Sequence, residues 1–283
     1  MTISGQGEQA LLGRIKEFLA PGATTDDAAV IADATGFLVV STDMFVEGVH
    51  FDLDWMGADD AGWRSLALAL GDLAAKGAAP AWALASLAMP RSWGVDRLTG
   101  LYSGMRSLAE RFHLGIVGGD MNAIDGPAVL SLTVAGRTTK MPLARSQVRP
   151  GWSVAVTGPL GEAAVALRER RAFRLVPRIE EGRRLNGLGL CCGDISDGLV
   201  REMEKFAAMA GAGCKLQAEL VPRAQGASIE DALTSGEEAE LVVAGPAAVI
   251  AAAGLVVVGE LTQAAEVKVL GATIRSSGYD HFA

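Results

Sequence analysis

Five short motifs in this chain place aspartates beside glycine or hydroxyl residues. Carboxylates that a fold brings together repel one another and lose hydration, so such a cluster requires cations to offset the cost. Oxygen ligands of this kind favour magnesium or calcium over zinc. A single aspartate is more often a helix cap or a turn residue, but five similar groups favour one site that holds several hard cations. The motifs are Thr25-Asp26-Asp27, Ser41-Thr42-Asp43, Gly71-Asp72, Gly118-Gly119-Asp120 and Asp194-Ile195-Ser196-Asp197-Gly198.

The composition indicates a globular protein that does not bind nucleic acid. The chain has 283 residues, half of them hydrophobic, which is enough for one large domain or two ordinary ones. Its 25 Lys and Arg residues stand against 33 Asp and Glu, which gives a net charge of -8. The sequence has no basic run and no basic patch with interleaved aromatic residues to neutralise a phosphate backbone. We therefore expect no nucleic-acid partner.

Cysteine usage and the first residues of the chain predict a cytoplasmic protein. Cys191, Cys192 and Cys214 are odd in number and have no Cys-x-x-Cys spacing, which argues against a disulfide framework or a zinc site. We expect these cysteines to pack as apolar residues in strands. Residues 1 to 13 show no basic region followed by an apolar run, so no secretory signal is expected.

One apolar segment is long enough to span a membrane. The residues from Leu241 to Gly259 carry no charge over 19 positions. Gly245-Pro246 and Gly254 interrupt this segment, and a glutamate rather than a basic anchor flanks each end. This punctuation favours a buried strand, short helix and strand, and we expect no membrane partner.

Predicted elements of the first half place several motif residues at element ends. Helical spacing covers residues 5 to 20, 60 to 76 and 95 to 113, and strands are predicted at 37 to 43, 82 to 89, 115 to 117 and 128 to 137. Asp43 then ends a strand, and the site begins at that strand end. Asp72 lies near a helix end, where a carboxylate gains nothing from the helix macrodipole. Its position therefore indicates a purpose other than helix formation.

A break in periodicity divides the chain near its middle. Residues 141 to 151 include two prolines and two arginines without apolar periodicity, so we predict domains at 1–147 and 148–283. Helices at 162–171, 178–187 and 198–211 and strands at 152–158, 190–195 and 214–220 follow, before the strand-helix-strand unit. Neither half has a strict β-α-β rhythm, so the pattern predicts the α+β class rather than a doubly wound sheet.

The usual phosphate-binding motifs are absent from the sequence. It contains neither Gly-x-x-x-x-Gly-Lys-[Ser/Thr] nor Gly-x-Ser-x-Gly. Gly5-Gln6-Gly7 begins a match to a dinucleotide fingerprint, but no strand precedes it. If the protein binds a nucleotide, metal ions on carboxylates must hold the phosphates, with glycine amides at Gly118-Gly119 and in residues 158 to 161 assisting.

Longer motifs along the whole chain resemble those of the thiamine-monophosphate kinase family. The resemblance implies the two-domain fold of the aminoimidazole ribonucleotide synthetase superfamily, with an N-terminal α/β sheet domain and a C-terminal α+β domain. It also implies a homodimer formed through the N-terminal sheets, with ATP in a groove between the halves. The motifs are Thr25-Asp-Asp-Ala-Ala-Val30, Ser41-Thr-Asp-Met-Phe-Val-Glu-Gly-Val-His-Phe51, Gly71-Asp-Leu-Ala-Ala-Lys-Gly-Ala-Ala-Pro80, Gly118-Gly-Asp120, Asp194-Ile-Ser-Asp-Gly-Leu199 and Gly278-Tyr-Asp-His-Phe282.

The resemblance implies a role for fourteen residues. Several Mg²⁺ ions would be held by Asp27, Ser41, Thr42, Asp43, Asp72, Asp120, Asp194 and Asp197. ATP would contact Gly119, Asp120, Arg145 and Ser196, and thiamine monophosphate would contact His50, Glu237 and Tyr279. Arg145 would also stabilise the charge that develops during phosphoryl transfer.

Four of these side chains have ordinary structural alternatives. His50 could be a core histidine bonded to the backbone, and Arg145 could cover a linker with its stem. Glu237 could be a solvated loop acid, and Tyr279 could anchor the chain end against the core.

The chain departs from the family pattern where the substrate is concerned. The family usually has Gly-Glu-Asp-Tyr-Glu-Leu where this chain has Gly236-Glu-Glu-Ala-Glu-Leu241, so an aromatic ring is lost and a methylene is gained. Thr25, Gly71 and Met121 stand where the family has Gly, Ser and Thr. None of these three changes removes an acidic residue of the motifs. These departures leave the substrate more open than the metal dependence.

The implied reaction is the ATP-dependent phosphorylation of thiamine monophosphate to thiamine diphosphate. Both substrates are anions, so a carboxylate-lined site needs Mg²⁺ bridges between them. The acceptor phosphate has a second pKa of about 6 and is mostly deprotonated near neutrality, so we expect neither a general base nor a covalent intermediate. Two alternatives stay open: another ATP-dependent enzyme of the superfamily, and a nucleotide-binding regulator that has lost turnover, which the Glu238-Ala239 departure allows.

Overall fold

Two mixed β-sheets, one in each half of the chain, form the framework of the protein. The computed structural model describes residues 7 to 20, 23 and 26 to 282. Thr25 and the pair Gly5-Gln6, which belong to motifs discussed above, lie outside the described residues.

The first half forms a five-stranded sheet with two long helices. The strand order is β1-β2-β5-β3-β4, in which β3 and β4 pair in parallel and the other described neighbours are antiparallel. A 3₁₀ turn at Lys16–Phe18 follows the first helix. The elements are α1 (Glu8–Ile15), β1 (Ala29–Asp33), β2 (Gly36–Val46), α2 (Ala58–Ala75), β3 (Ala79–Pro90), α3 (Val95–Arg111), β4 (Gly115–Ile124) and β5 (Val129–Thr138).

The second half forms a six-stranded sheet with shorter helices. Its strand order is β11-β8-β10-β6-β9-β7, in which β11 and β8 pair in parallel. The 3₁₀ turn Arg145–Gln147 lies between the two sheets in sequence. The elements are β6 (Ser153–Val156), α4 (Glu162–Glu169), α5 (Ile179–Gly187), β7 (Cys191–Ile195), α6 (Leu199–Ala210), β8 (Gly213–Gln217), α7 (Ile229–Thr234), β9 (Glu238–Gly245), α8 (Ala247–Ala252), β10 (Val256–Thr262) and β11 (Val267–Leu270).

Helix α2 is the core element that both sheets share. Thirteen of its 18 residues are buried, so it is covered on all sides rather than along one stripe. Its leucines Leu66, Leu70 and Leu73 join a single apolar cluster with side chains of both sheets. Two aspartates in its first turn complement the macrodipole, and Gly77, at a φ of 60°, ends it. Residues on α2 are therefore held rigidly between the two halves.

Helix α6 covers the opposite face of the second sheet. Leu199, Met203 and Phe206 recur at helical spacing and are fully buried in a second apolar cluster with β6, β7, β8 and β9. The molecule is thus layered as sheet, helices, sheet, helices. Helix α6 follows the Asp194-Ile-Ser-Asp motif, so this motif lies at the N-terminus of the helix.

The α+β class is confirmed, and most predicted elements exist close to their expected bounds. Strands β1 and β11 and helix α7 were not predicted, because each is short and carries little apolar periodicity. Several strand ends were wrong, two of them in the acidic motifs: β2 continues past Asp43 to Val46, and β4 continues through Gly118-Gly119-Asp120 to Ile124. Cross-strand pairing overrides the weak strand propensity of these residues. The boundary between residues 147 and 148 stays a prediction.

The apolar segment after Glu240 is folded inside the protein as the strand-helix-strand unit β9, α8 and β10. Its valines on β9 are fully buried between neighbouring strands. Within the described parts of the chain, no helix combines the length and the apolar character needed to cross a bilayer. The three cysteines are buried in β7 and β8 as unpaired thiols, as predicted.

A buried lysine joins the end of α2 to the second sheet. The side chain of Lys76 is 0% exposed and forms ion pairs with Asp26 and with Asp27, whose Oδ2 lies 3.0 Å from Nζ. The same ammonium group donates to the carbonyl of Cys192 on β7 at 3.3 Å. A buried charge is stable only when an opposite charge pairs with it. The native fold around Asp26 and Asp27 therefore requires this contact.

We expect Lys76→Met to lower the free energy of unfolding by about 3–5 kcal/mol, because it removes the buried cation that Asp26 and Asp27 share. Urea denaturation in the presence of a chelator measures this change. The matched control is Lys140→Met, whose exposed ammonium also reaches the second half, at Gly187 O at 2.8 Å. Its effect should stay within about 0.5 kcal/mol. Equal losses in the two variants would contradict the role given to Lys76.

Candidate active site

A cleft of about 870 Å³ lies between the two halves of the chain. Twelve of the fourteen predicted site residues line it. The other two, Gly119 and Asp120, lie on the edge strand β4 and line a second cavity of about 940 Å³ beside α3. The twelve are Asp27, Ser41, Thr42, Asp43, His50, Asp72, Arg145, Asp194, Ser196, Asp197, Glu237 and Tyr279.

Three carboxylates from different elements meet in the cleft. Asp27 lies in the loop before β1, Asp72 on α2 and Asp194 on β7, and one oxygen of each lies within 4.8 Å of the others. The side chains of Asp27 and Asp194 are only 2% and 13% exposed. The fold therefore holds together negative charges that water screens poorly.

Three of the aspartates in the cleft have raised pKa values. Burial, followed by the charge of Asp194, raises the pKa of Asp43 to about 7. Burial raises the pKa of Asp72 well above its usual range, and the charges of Asp194 and Asp43 add to this effect. Burial, followed by the charge of Glu202, raises the pKa of Asp194 to about 6. Carboxylates in this state gain much from a bound cation.

The donor set fits a hard divalent cation. Asp27 Oδ2 is buried and makes no hydrogen bond, although Lys76 Nζ lies 3.0 Å away. The possible metal ligands near it are the carboxylate oxygens of Asp72 and Asp194 and the hydroxyl of Ser41, and Mg²⁺ prefers such oxygens over the nitrogen and sulfur ligands of zinc. The residues present therefore fit the magnesium site that the sequence predicted.

The hydroxyl motif on β2 points to both faces of the sheet. Ser41 donates to Asp72 Oδ2 on α2, and Asp43 lies on the same face. The side chain of Thr42 alternates to the opposite face, where Thr133 donates to its hydroxyl at 3.2 Å. Thr42 can therefore serve the cleft through its peptide group rather than its side chain.

Arg145 is a buried cation at the centre of the acidic groups. Its guanidinium pairs with Asp27 and with Glu202 Oε2 at 2.9 Å, and it lies 3.6 Å from Asp194 Oδ1. The ring of Phe206 lies 5.3 Å below it. The alternative in which Arg145 only covers a linker is wrong, because its charged head rather than its stem makes these contacts.

Glu202 and Lys205 complete the charge network from α6. Glu202 is fully buried; burial would raise its pKa, but Arg145 and Lys205 outweigh burial and lower it. Glu202 Oε1 accepts from Lys205 Nζ at 2.7 Å and from Ser196 Oγ at 3.3 Å. Lys205 also donates to Asp197 at 2.7 Å. Positive and negative side chains thus alternate along this wall of the cleft.

Aromatic rings line the other end of the cleft. His50 and Tyr279 flank His281, with ring centroids 5.2 and 4.8 Å from it, and Phe45 lies 5.8 Å from His50. The backbone N–H of Val46 donates to His50 Nδ1 at 3.0 Å, so the ring proton of neutral His50 is on Nε2. Burial lowers the pKa of His50, which favours this neutral form. The histidine is both bonded to the backbone and at the cleft surface.

Glu237 is held in an unusual backbone conformation beside these rings. Its φ of 58° is rare for a glutamate, and its N–H donates to Ser196 O at 2.8 Å. One carboxylate oxygen pairs with Arg64 on α2, whereas Oε1 is buried and makes no hydrogen bond. Glu237 is therefore not a solvated loop acid. It presents an unused acceptor.

Glu238 and Ala239, the departures from the family pattern that concern the substrate, lie behind the wall of the cleft. Glu238 Oε1 accepts from the N–H groups of Gly161 and Ala163 at 2.9 and 3.3 Å, at the start of α4. Burial raises its pKa to about 7. Ala239 packs against the apolar cluster around α2. Neither residue is among those that line the cleft.

Five cleft or network residues were missed from the sequence: Arg64, Lys76, Glu202, Lys205 and His281. Lys76 and His281 lie inside motifs that carried the resemblance, so they were within reach of that signal. Glu202 and Lys205 recur three residues apart directly after the Asp-Ile-Ser-Asp motif, a helical spacing that places both on one face. Arg64 gave no sequence signal, because its partner Glu237 is 173 residues away.

Known proteins resemble this chain in sequence. Residues 25–138 match the family model described as AIR synthase related protein, N-terminal domain. Thiamine-monophosphate kinase of Halobacterium salinarum is 30% identical over 90% of this chain and 94% of its own length. That of Methanopyrus kandleri is 32% identical over 87% and 84%.

Solved structures give the same result over nearly all of the fold. The structure of AaThiL complexed with AMPPCP and TMP is 26% identical, has a TM-score of 0.88 and covers 98% of this chain and 97% of its own. The similarity covers most of the chain and reaches 30% identity or more with these kinases, so it goes beyond a shared fold. The chain belongs to the thiamine-monophosphate kinase family.

Proposed function

We propose that the cleft carries out the reaction of this thiamine-monophosphate kinase, the ATP-dependent phosphorylation of thiamine monophosphate to thiamine diphosphate, by direct in-line transfer assisted by Mg²⁺. The observation that carries the mechanism is the convergence of Asp27, Asp72 and Asp194 from three separate elements on one cleft. The related structure bound to AMPPCP and TMP supports ATP as the donor.

The carboxylates would hold the metal ions of the reaction. Asp27, Asp72 and Asp194 would form the centre of this site, with Asp43 and Asp197 on either side. Bound Mg²⁺ would neutralise the phosphate oxygens of donor and acceptor, which the carboxylates alone would repel. Ser41 would orient Asp72, because its hydroxyl already donates to that carboxylate.

The remaining polar groups would align the donor. Ser196 opens the loop before α6 and would contact the nucleotide through its hydroxyl. Arg145 would stabilise negative charge at the metal-bound end, and its burial among three carboxylates fixes its position before substrate enters. Alignment and charge neutralisation suffice for transfer to an ionised phosphate, so no side chain is assigned as a general base.

The aromatic end of the cleft suits the rings of thiamine. His50 and Tyr279 present ring faces or edges next to His281, which favours flat heterocycles. Glu237 Oε1 is an unpaired acceptor, and the amino group of the thiamine pyrimidine is a donor. The Glu238 and Ala239 departures lie outside the cleft lining, so they give no reason to prefer a regulator without turnover.

We propose that the protein acts as a homodimer through the open face of the first sheet. Met44 and Leu84 are 61% and 36% exposed on the face that points away from α2. An uncovered apolar sheet face of this kind is suited to pairing with a second copy of itself. A second copy would also account for Gly119 and Asp120, which line a cavity away from the cleft of their own chain and would reach the cleft of the other subunit.

The assay for the proposed function is the formation of thiamine diphosphate from thiamine monophosphate and Mg-ATP, followed by mass spectrometry. We expect the wild-type protein to form product and a chelator to abolish it. Asp43→Asn should lower kcat by about 100-fold or more, because a neutral amide weakens the metal site without changing shape. The control Asp125→Asn changes an exposed turn and should leave kcat unchanged. Product formation at wild-type rate by Asp43→Asn would rule out this assignment.

We expect the stability of the metal-free protein to fall as pH rises from 5 to 8. The pKa values of Asp43 and Asp194 in the folded state, about 7 and about 6, lie above the ordinary aspartate value of about 3.9. Groups with raised pKa contribute stability that is complete below the unfolded pKa and is lost as pH passes the folded pKa.

Mg²⁺ should therefore raise the Tm more at pH 8 than at pH 5, because the ligands must be ionised to bind it. Thermal unfolding with and without Mg²⁺, at matched ionic strength, measures both effects. A Mg²⁺ effect that is equal at the two pH values would count against these carboxylates as ligands.

Met44→Lys should convert the dimer to a monomer and lower kcat/KM at least tenfold, because a charge on the open face cannot be buried and the second copy then no longer completes the site. Analytical ultracentrifugation measures the mass in solution. Leu188→Glu, at another exposed apolar position in the second half, is the control and should stay dimeric. A fully active monomer would refute the dimer as the functional unit.

A further inference from the structure

Lys205 occupies a place in the cleft that the proposed reaction does not explain. It extends from α6 so that its Nζ lies 2.7 Å from Asp197 Oδ2 and 2.7 Å from Glu202 Oε1. Its side chain is 14% exposed and lines the cleft. A single ammonium group thus bridges one proposed metal ligand and one buried carboxylate that is not a proposed ligand.

Of the other lysines and arginines described in the cleft lining, two pair with carboxylates that are not proposed metal ligands, and the third is held rigidly. Arg64 pairs with Glu237, and Arg171 pairs with Glu162 at 2.7 Å. Arg145 is fixed by Asp27 and Glu202 and by the ring beneath it. Lys205, by contrast, has a flexible four-carbon stem and a compact charge with three donors, so it can leave one partner and keep the other.

We propose that Lys205 is a built-in counter-cation that neutralises Asp197 in the metal-free cleft and turns to the phosphates of the nucleotide when Asp197 serves as a metal ligand. The inference rests on the proposed function and deepens it. It adds a phosphate contact to the site and a competition between a side chain and a metal ion for the same carboxylate.

The contacts of Glu202 explain how one lysine can serve both purposes. Its Oε1 accepts from Lys205 and also from Ser196, the residue assigned to the nucleotide. When Lys205 leaves Asp197, its hydrogen bond to Glu202 therefore keeps it next to Ser196. Because Glu202 is fully buried between Arg145 and Lys205, its position is fixed and so is the pivot of the lysine. A metal ion and the ammonium group of Lys205 would repel each other if both contacted Asp197, so a metal ion that binds Asp197 displaces the ammonium group.

The test is Lys205→Met, measured by two binding experiments on the whole protein. Binding of Mn²⁺ alone, followed by electron paramagnetic resonance of the free ion, should become about three- to tenfold tighter, because the competing cation is gone. Binding of AMPPCP in the presence of Mg²⁺, followed by calorimetry, should become about tenfold weaker, because a charged donor to phosphate is lost. The control Lys215→Met removes an exposed lysine of the neighbouring β8, 3.9 Å from Glu260, and should change neither.

Opposite changes in the two affinities support the proposal. A purely structural lysine would weaken both or change neither, and either result overturns it. Lys205→Arg keeps the charge and guards against a folding defect; it should bind Mn²⁺ as the wild type does, and tighter binding in this variant would also overturn the proposal. Product formation by the wild type tests the proposed function separately, so that a failure of one idea is distinguishable from a failure of the other.

Discussion

The repulsion among buried carboxylates is the constraint on which the rest of the structure depends. Burial raises the pKa values of Asp43, Asp72 and Asp194, and neighbouring carboxylates add to the effect, Asp194 on the first two and Glu202 on Asp194 itself. The fold holds them there by placing Asp72 on α2, which the two sheets enclose, and Asp194 on the strand that packs on it. The apolar core of α2 supplies the stability that the acidic cleft lacks.

Buried cations from the chain itself compensate part of that repulsion. Lys76 and Arg145 approach Asp27 from different parts of the chain. Both also contact the second half, Lys76 at the carbonyl of Cys192 and Arg145 at Glu202. Each cation therefore joins the two halves at the site where they must act together. The four aspartates Asp27, Asp43, Asp72 and Asp194 still outnumber these two cations, so the compensation is incomplete, and a divalent ion would complete it.

The sequence predicted the composition of this site better than its geometry. Acid-glycine motifs and end-to-end resemblance identified twelve residues that line one cleft, because such motifs record the chemistry of a site directly. The Glu237 and Arg64 pair and the pairing of Arg145 with Glu202 were out of reach, since they join positions far apart in the chain. Thr42 was assigned as a ligand from the family resemblance, and only the alternation along β2 shows that its hydroxyl points away.

That alternation also links the chemistry to the proposed dimer. On β2, Ser41 and Asp43 face α2 and the cleft, whereas Thr42 and Met44 face the open side of the sheet. A shift of register by one residue would exchange these two sets and destroy the proposed metal site and the apolar face together. The pairing of β2 with β5 over ten residues fixes that register. A second copy that packs on the open face would hold the same strand from behind, so assembly and alignment of the acids depend on one element.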